Sequence, residues 1–141
     1  MTGWWIGNVR DLRWQENELG ATCEFDKHQD RFDEFGINLT ALRPGQPMTM
    51  YHRERYQEGF LVLRGECELI VEGESRPLRA WDYFHCPPGV AHVVVGAGEE
   101  PALVVAVGSR VGGGEATYPN DPDPAAAYAA YGEPKGVPSP L

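Results

Sequence analysis

Two short stretches hold the residues of this chain best suited to chemistry. His52, Glu54 and Glu58 lie in the first, and His92 follows the turn Pro87-Pro88-Gly89 in the second. Side chains two positions apart on a strand point to the same face, so His52 and Glu54 are expected to look into one interior. Glu58 and His92 would close the set from neighbouring strands. Imidazole and carboxylate donors together suit Fe(II), Mn(II), Ni(II), Co(II) or Zn(II), so the expected cofactor is one divalent metal ion held by His52, Glu54, Glu58 and His92. A second carboxylate shifts the preference toward harder metals. If only His52, Glu58 and His92 ligate, the set approaches the two-His, one-carboxylate triad used for oxygen activation by non-haem iron. Glu54 would then be free to act as a general base or to orient a ligand. The sequence leaves these roles of Glu54 open.

The elements that must position these residues read as β-strands. Between residues 20 and 108 the apolar residues recur in short runs bounded by Gly and Pro, with no helical period. Strands are expected at 21–25, 36–42, 48–52, 59–63, 66–71, 76–78, 82–86, 91–95 and 102–107. Short strands at this spacing imply an all-β sandwich or barrel. Turn signals such as Pro44-Gly45, Arg64-Gly65, Glu72-Gly73-Glu74 and Pro88-Gly89 separate them, and the tight connections favour antiparallel pairing. After Arg110 the composition changes to Gly112-Gly113-Gly114 and a proline-rich tail, with one short helix expected in the alanine-rich stretch 124–130. Three segments follow from this reading: an N-terminal segment 1–34 that packs on the barrel or on a partner subunit, a barrel 35–110, and a Gly/Pro-rich tail 111–141.

Composition narrows the function. A chain of 141 residues suits one domain with a real core. Its net charge of −9 repels phosphate backbones and anionic lipid, so neither nucleic acid nor a membrane is an expected partner. The amino terminus has no basic region ahead of a long apolar core and no membrane span, and the chain reads as soluble and cytoplasmic. Cys23, Cys67 and Cys86 are too few and too widely spaced for a disulfide framework or a paired zinc knuckle, so reduced thiols are expected.

With these residues in place, Gly45…His52-x-Glu54-x3-Glu58-x6-Gly65 resembles the first motif of the cupin superfamily, and Trp81-x5-Pro87-x-Gly89-x2-His92-x3-Gly96 resembles the second. The resemblance spans roughly residues 35–108, with the fifteen-residue spacer of compact bacterial cupins between the motifs. It implies a single jelly-roll β-barrel, commonly dimeric, that holds one divalent metal through three His and a Glu. Three positions depart from the family pattern. Glu54 replaces the second His of the usual His-x-His pair, Trp81 stands where the second motif starts with Gly, and Gly96 stands where it ends with Asn. An alternative register would put Tyr51 and Arg53 at the ligand positions, and the His52 register is preferred because Arg cannot ligate a cation.

Met50, Phe60, Phe84 and Cys86 are expected to line the cavity beside the metal, making it apolar enough for a small organic ligand. Cys86 is read as a small buried hydrophobe, since no His-Asp or His-Asn pairing supports a thiolate nucleophile. His28 and His85 are read as surface residues, and Gly112-Gly113-Gly114 as a linker rather than a phosphate loop. Trp4, Trp5 and Trp14, with Tyr118, Tyr128 and Tyr131 in the tail, are expected to pack on the barrel or across a subunit contact. The expected assembly is a homodimer. The function expected is a metal-binding, small-molecule enzyme of oxygenase or isomerase type. Its alternative is a non-catalytic ligand-binding or sensing cupin, including one with a degenerate metal site.

Overall fold

The computed structural model describes residues 3–28, 32–112, 116–119 and 132–141, and these form ten strands and one 3-10 turn. The strands are β1 (Trp14–Asn17), β2 (Gly20–Glu24), β3 (Phe35–Leu42), β4 (Glu58–Arg64) and β5 (Glu66–Val71), followed by β6 (Glu74–Arg79), β7 (Tyr83–Cys86), β8 (His92–Ala97), β9 (Ala102–Ser109) and β10 (Lys135–Val137). A larger sheet runs β10-β1-β2-β3-β9-β4-β7, and a smaller one runs β6-β5-β8. Every pairing is antiparallel.

The period-two pattern explains how the sheets close on each other. Leu42, Phe60, Val62, Val104 and Ala102 of the large sheet meet Cys67, Leu69 and Val94 of the small one in a single buried cluster. Alternate residues Leu39 and Leu103 point the other way. They bury Trp14, Ala21 and Cys23 in a second layer, which the N-terminal residues Val9 and Leu12 and the C-terminal residues Val137 and Leu141 help to cover. Trp14 is 1% exposed and donates its indole N–H to the Val9 carbonyl at 2.7 Å, so this aromatic packs on the sheet as expected. Trp4, in contrast, is 69% exposed.

Eight of the nine strands expected from sequence are present; residues 48–52 differ. That segment runs beside β8 as a broken strand. Met48 N–H bonds Val94 O at 2.8 Å, while His52 and His92 exchange both backbone hydrogen bonds at 3.2 and 3.0 Å. Five residues from Met48 to His52 therefore face three from Val94 to His92, and the surplus bulges out of the ladder. β1 and β10 have no counterpart among the expected strands. β1 reads WQEN with one buried side chain, and β10 is three residues of the proline-rich tail held against β1 by the register Trp14↔Val137. The alanine-rich stretch 124–130, Tyr128 and Tyr131 lie outside the described residues. Among the described residues no helix is long and apolar enough to cross a membrane.

Candidate metal centre

The two sheets place three donors at one open end. His52 sits on the bulged segment, its bridge partner His92 opens β8, and Glu58 opens β4 on the facing sheet. One ligand atom from each lies within 4.8 Å of the other two. His92 Nε2 is 3.0 Å and His52 Nε2 3.8 Å from Glu58 Oε2. His92 is fully buried, His52 is 5% exposed, and the Glu58 side chain is 16% exposed.

Local backbone geometry orients both rings. His92 Nδ1 is 2.9 Å from the Val90 carbonyl, and His52 Nδ1 is 2.8 Å from the Met50 carbonyl. A carbonyl only accepts, so each Nδ1 carries a hydrogen, and Nε2 is the ring atom left facing Glu58. The bulge at 49–51 delivers the Met50 carbonyl, and the Thr49 hydroxyl lies 3.4 Å from the same nitrogen. The two motifs are stitched together at the turn, where Gly89 N–H donates to Glu54 O at 2.8 Å and Arg53 Nε donates to Gly89 O at 3.1 Å.

The donor set fits a divalent metal ion. Glu58 Oε2 and His92 Nε2 are close, yet not aligned for a hydrogen bond, and both are buried polar atoms without a hydrogen-bond partner. Metal–ligand bonds of about 2.0–2.2 Å put neighbouring donors roughly 3 Å apart, the scale of the spacings seen here. Without a cation, burial pushes the His92 imidazolium down. Its contacts with Cys86 Sγ, Glu58 and the Val90 carbonyl, and the Glu58 charge, outweigh burial and raise its pKa to about 10. A proton thus stands in where a metal would bind.

Glu54 lies beside this group without joining it. Its Oε1 is 3.4 Å from His52 Nε2, but it is not among the mutually close donors. Burial first, and the Glu58 charge second, raise its carboxyl pKa, against the lowering influence of His52 and His92. Tyr51 packs with Ile70, Val93 and Val95, and Arg53 reaches the Gly89 carbonyl. Neither Tyr51 nor Arg53 is among the mutually close donors, whereas His52 is. Cys86 is 1% exposed with Sγ 3.2 Å from His92 Nδ1, and Phe60 and Phe84 stack on each other and meet the His92 ring edge-on. These three wall the dry side of His92, and Met50 contributes its carbonyl. His85 is exposed as expected, while His28 is half-buried with Nε2 3.9 Å from Cys23 Sγ.

A cavity of about 500 Å³ opens beside Glu54 and Glu58, and Asn38, Tyr56, Ser109 and Arg110 also line it. Sequence reasoning missed these residues, because they come from segments remote from one another in the chain and carry no motif. Thr117 closes the same end by exchanging backbone hydrogen bonds with Arg53 at 2.8 and 2.9 Å, which brings the Tyr118 ring to 6.4 Å from that of His52.

Known structures share this architecture. A sugar phosphate isomerase of the cupin superfamily from Silicibacter pomeroyi is similar, with a TM-score of 0.64 and 23% identity over 80% of this chain and 69% of that one. KdgF from Halomonas sp. is similar at a TM-score of 0.63 and 25% identity, over 77% of this chain and 94% of that one. The polyketide cyclase RemF from Streptomyces resistomycificus is similar at 0.65 and 15%, over 76% and 80%. No curated protein matches the sequence. The cupin domain model matches residues 38–108, which hold both motifs and the strands that carry them, and the chain therefore belongs to the cupin family.

Proposed function

We propose that the chain is a metal-dependent enzyme that isomerises a small hydroxy-carbonyl compound by moving a proton between neighbouring carbons. His52, Glu58 and His92 would hold the metal. Bound there, a divalent ion would polarise a substrate oxygen. The observation that carries the reading is Glu54. It is a carboxylate beside the donor triad, outside it, and shifted upward by burial toward the range useful for a base near neutral pH. Glu54 takes the proton from the carbon next to the carbonyl and returns it to the carbonyl carbon, while the hydroxyl proton passes to the other oxygen. No oxidant or further reactant is needed. Phe60, Phe84 and Cys86 keep water from the His92 side, and Met50 holds His52 in register. The cupin neighbour named a sugar phosphate isomerase is consistent with this reaction class.

A second reading rests on the triad itself. Two His and one carboxylate with open positions also suit oxygen activation on iron. Hydrogen–deuterium exchange at carbon separates the two. Metal-loaded protein is incubated in D2O with D-glucose 6-phosphate and with D-glucuronate, and NMR follows the signal of the hydrogen next to the carbonyl. Loss of that signal with wild type but not with Glu54→Gln, at equal metal content, supports the isomerase. Oxygen uptake without exchange supports the oxygenase. Binding without either supports a non-catalytic cupin.

The homodimer is also proposed. Its support is the outer face of the large sheet, where Phe35, Tyr83 and Val107 are exposed around an apolar groove.

A further inference from the structure

The cavity beside the metal centre owes its space to two glycines. Gly36 of β3 and Gly108 of β9 are register partners, and Gly108 also pairs with Glu58 of β4. A Cβ on Gly108 would point at Glu58, 3.6 Å from its Cγ. A Cβ on Gly36 would sit 2.9 Å from Arg110 Nη2 and 3.3 Å from Arg110 Nε. The missing side chains thus leave an opening with a carboxylate donor at one end and a guanidinium at the other. Arg110 is held in place at the far end. Its Nη1 donates to Asp26 Oδ2 at 2.6 Å and to the Phe32 carbonyl at 2.7 Å, its side chain is 26% exposed, and Asp26 is buried. Among the described residues, Nε and Nη2 form no hydrogen bond, so the second edge of the fork is available to the cavity that Arg110 lines.

We infer that Arg110 is the anchor for an anionic group on the substrate, a carboxylate or a phosphate, whose other end carries the oxygen presented to His52, Glu58 and His92. This rests on the metal-enzyme reading above and adds the substrate class to it. A planar fork with one edge fixed by a buried carboxylate is pre-organised for two parallel hydrogen bonds to such a group. Glu54 and Glu58 share the cavity and oppose any anion near them. Their repulsion places the anionic end at Arg110, on the far side of the glycine opening, and leaves the neutral oxygen-bearing end for the metal side. Asn38, Tyr56 and Ser109 supply polar groups along the way.

The test uses one sugar skeleton with three ends: D-glucose, D-glucuronate and D-glucose 6-phosphate. Each is titrated calorimetrically into metal-loaded full-length protein, with metal content measured on every sample. At least one of the two anions is expected to bind, with D-glucose about tenfold weaker or more, and the better anion tells carboxylate from phosphate. Arg110→Gln is expected to lose about tenfold or more of that affinity, the scale of a charged hydrogen bond, at unchanged metal stoichiometry. Gly108→Ala, which keeps the Arg110–Asp26 pair, is expected to weaken the anion as well by putting a methyl group in the opening. Equal affinity for the anion in Arg110→Gln and wild type overturns the inference. So does D-glucose binding as tightly as the anions, or no binding of either anion. If Arg110→Gln does not fold, Gly108→Ala decides, and unchanged affinity there overturns the inference. A wild type that takes up no metal refutes the metal-enzyme reading instead, and the same titrations on metal-free protein still read the Arg110 subsite.

Discussion

His52 and His92 are bridge partners, exchanging both backbone hydrogen bonds while their rings lie 4.7 Å apart on the same side of the sheet. Each ring is fixed by a carbonyl two residues earlier in its own chain segment, so the pair is held by backbone rather than by long flexible side chains. Two donors arranged this way lose little freedom when they bind a metal, which favours affinity.

Removal of either ring should therefore abolish stoichiometric binding without unfolding the sheets. His52→Ala and His92→Ala are expected to lower metal affinity by more than the roughly 10–100-fold typical of changes to groups behind the ligands. Elemental analysis after loading with Fe(II), Mn(II), Ni(II) or Zn(II), alongside far-ultraviolet circular dichroism, checks both parts. Full occupancy in both variants would remove the site.

The two carboxylates should separate. Glu58 Oε2 approaches both imidazoles and is a buried atom without a hydrogen-bond partner, whereas Glu54 approaches His52 alone. Glu58→Gln is expected to weaken metal binding more than Glu54→Gln does. Competition against a chromophoric chelator gives the order, and the opposite order would make Glu54 the third ligand.

The pH dependence follows from His92, whose pKa rises from an ordinary 6.5 to about 10 in the metal-free fold. A folded-state pKa above the unfolded one means that protonation favours the fold. That contribution is complete below about pH 6.5 and is lost as pH climbs toward about 10. Glu54, also raised, acts in the same direction from its own lower range. Metal-free protein should thus melt at progressively lower temperature from pH 6.5 to 10. Metal must displace the His92 proton, so its apparent affinity should rise over the same window, with proton release visible as a buffer-dependent calorimetric enthalpy. A melting temperature in EDTA that stays flat or rises across that range would contradict the assignment.

Much of this arrangement is legible from residue types alone. Strands β2 to β9 announce themselves through period-two apolar runs between Gly and Pro turns. The four candidate ligands stand out because His and Glu recur at offsets a strand can use. β1 and β10 are silent for a physical reason, since a four-residue polar strand and a three-residue edge strand between prolines are fixed by tertiary pairing around Trp14, not by local pattern. Residues 48–52 read as a regular strand because the bulge depends on where the chain meets β8. Arg110 was invisible because its value lies in Asp26, Gly36 and Gly108, residues that only the fold brings together. The Gly96 departure from the family pattern is explained by packing, because a Cβ there would run into the Arg43 carbonyl.

The Trp81 departure is explained less favourably and yields the last prediction. Arg79 to Asp82 make a turn closed by Asp82 N–H to Arg79 O at 3.0 Å, and Trp81, its third residue, has φ +76°. A turn with positive φ at that place is the kind that calls for glycine, the residue the family pattern has there. A non-glycine side chain in the left-handed region costs roughly 1–2 kcal/mol. Trp81 recovers little of this through burial, being 73% exposed. Its backbone N–H still donates to Val62 O at 2.7 Å, a bond glycine would keep. Against the gain stands the greater freedom of glycine in the unfolded chain, about 0.5–1 kcal/mol. Trp81→Gly should therefore stabilise the protein by about 0.5–1 kcal/mol with unchanged metal stoichiometry, measured by urea denaturation at constant slope. A loss of stability would mean that the exposed indole is engaged by something in solution, and a shift of the protein from dimer to monomer on gel filtration of the same variant would locate that contact at a subunit interface.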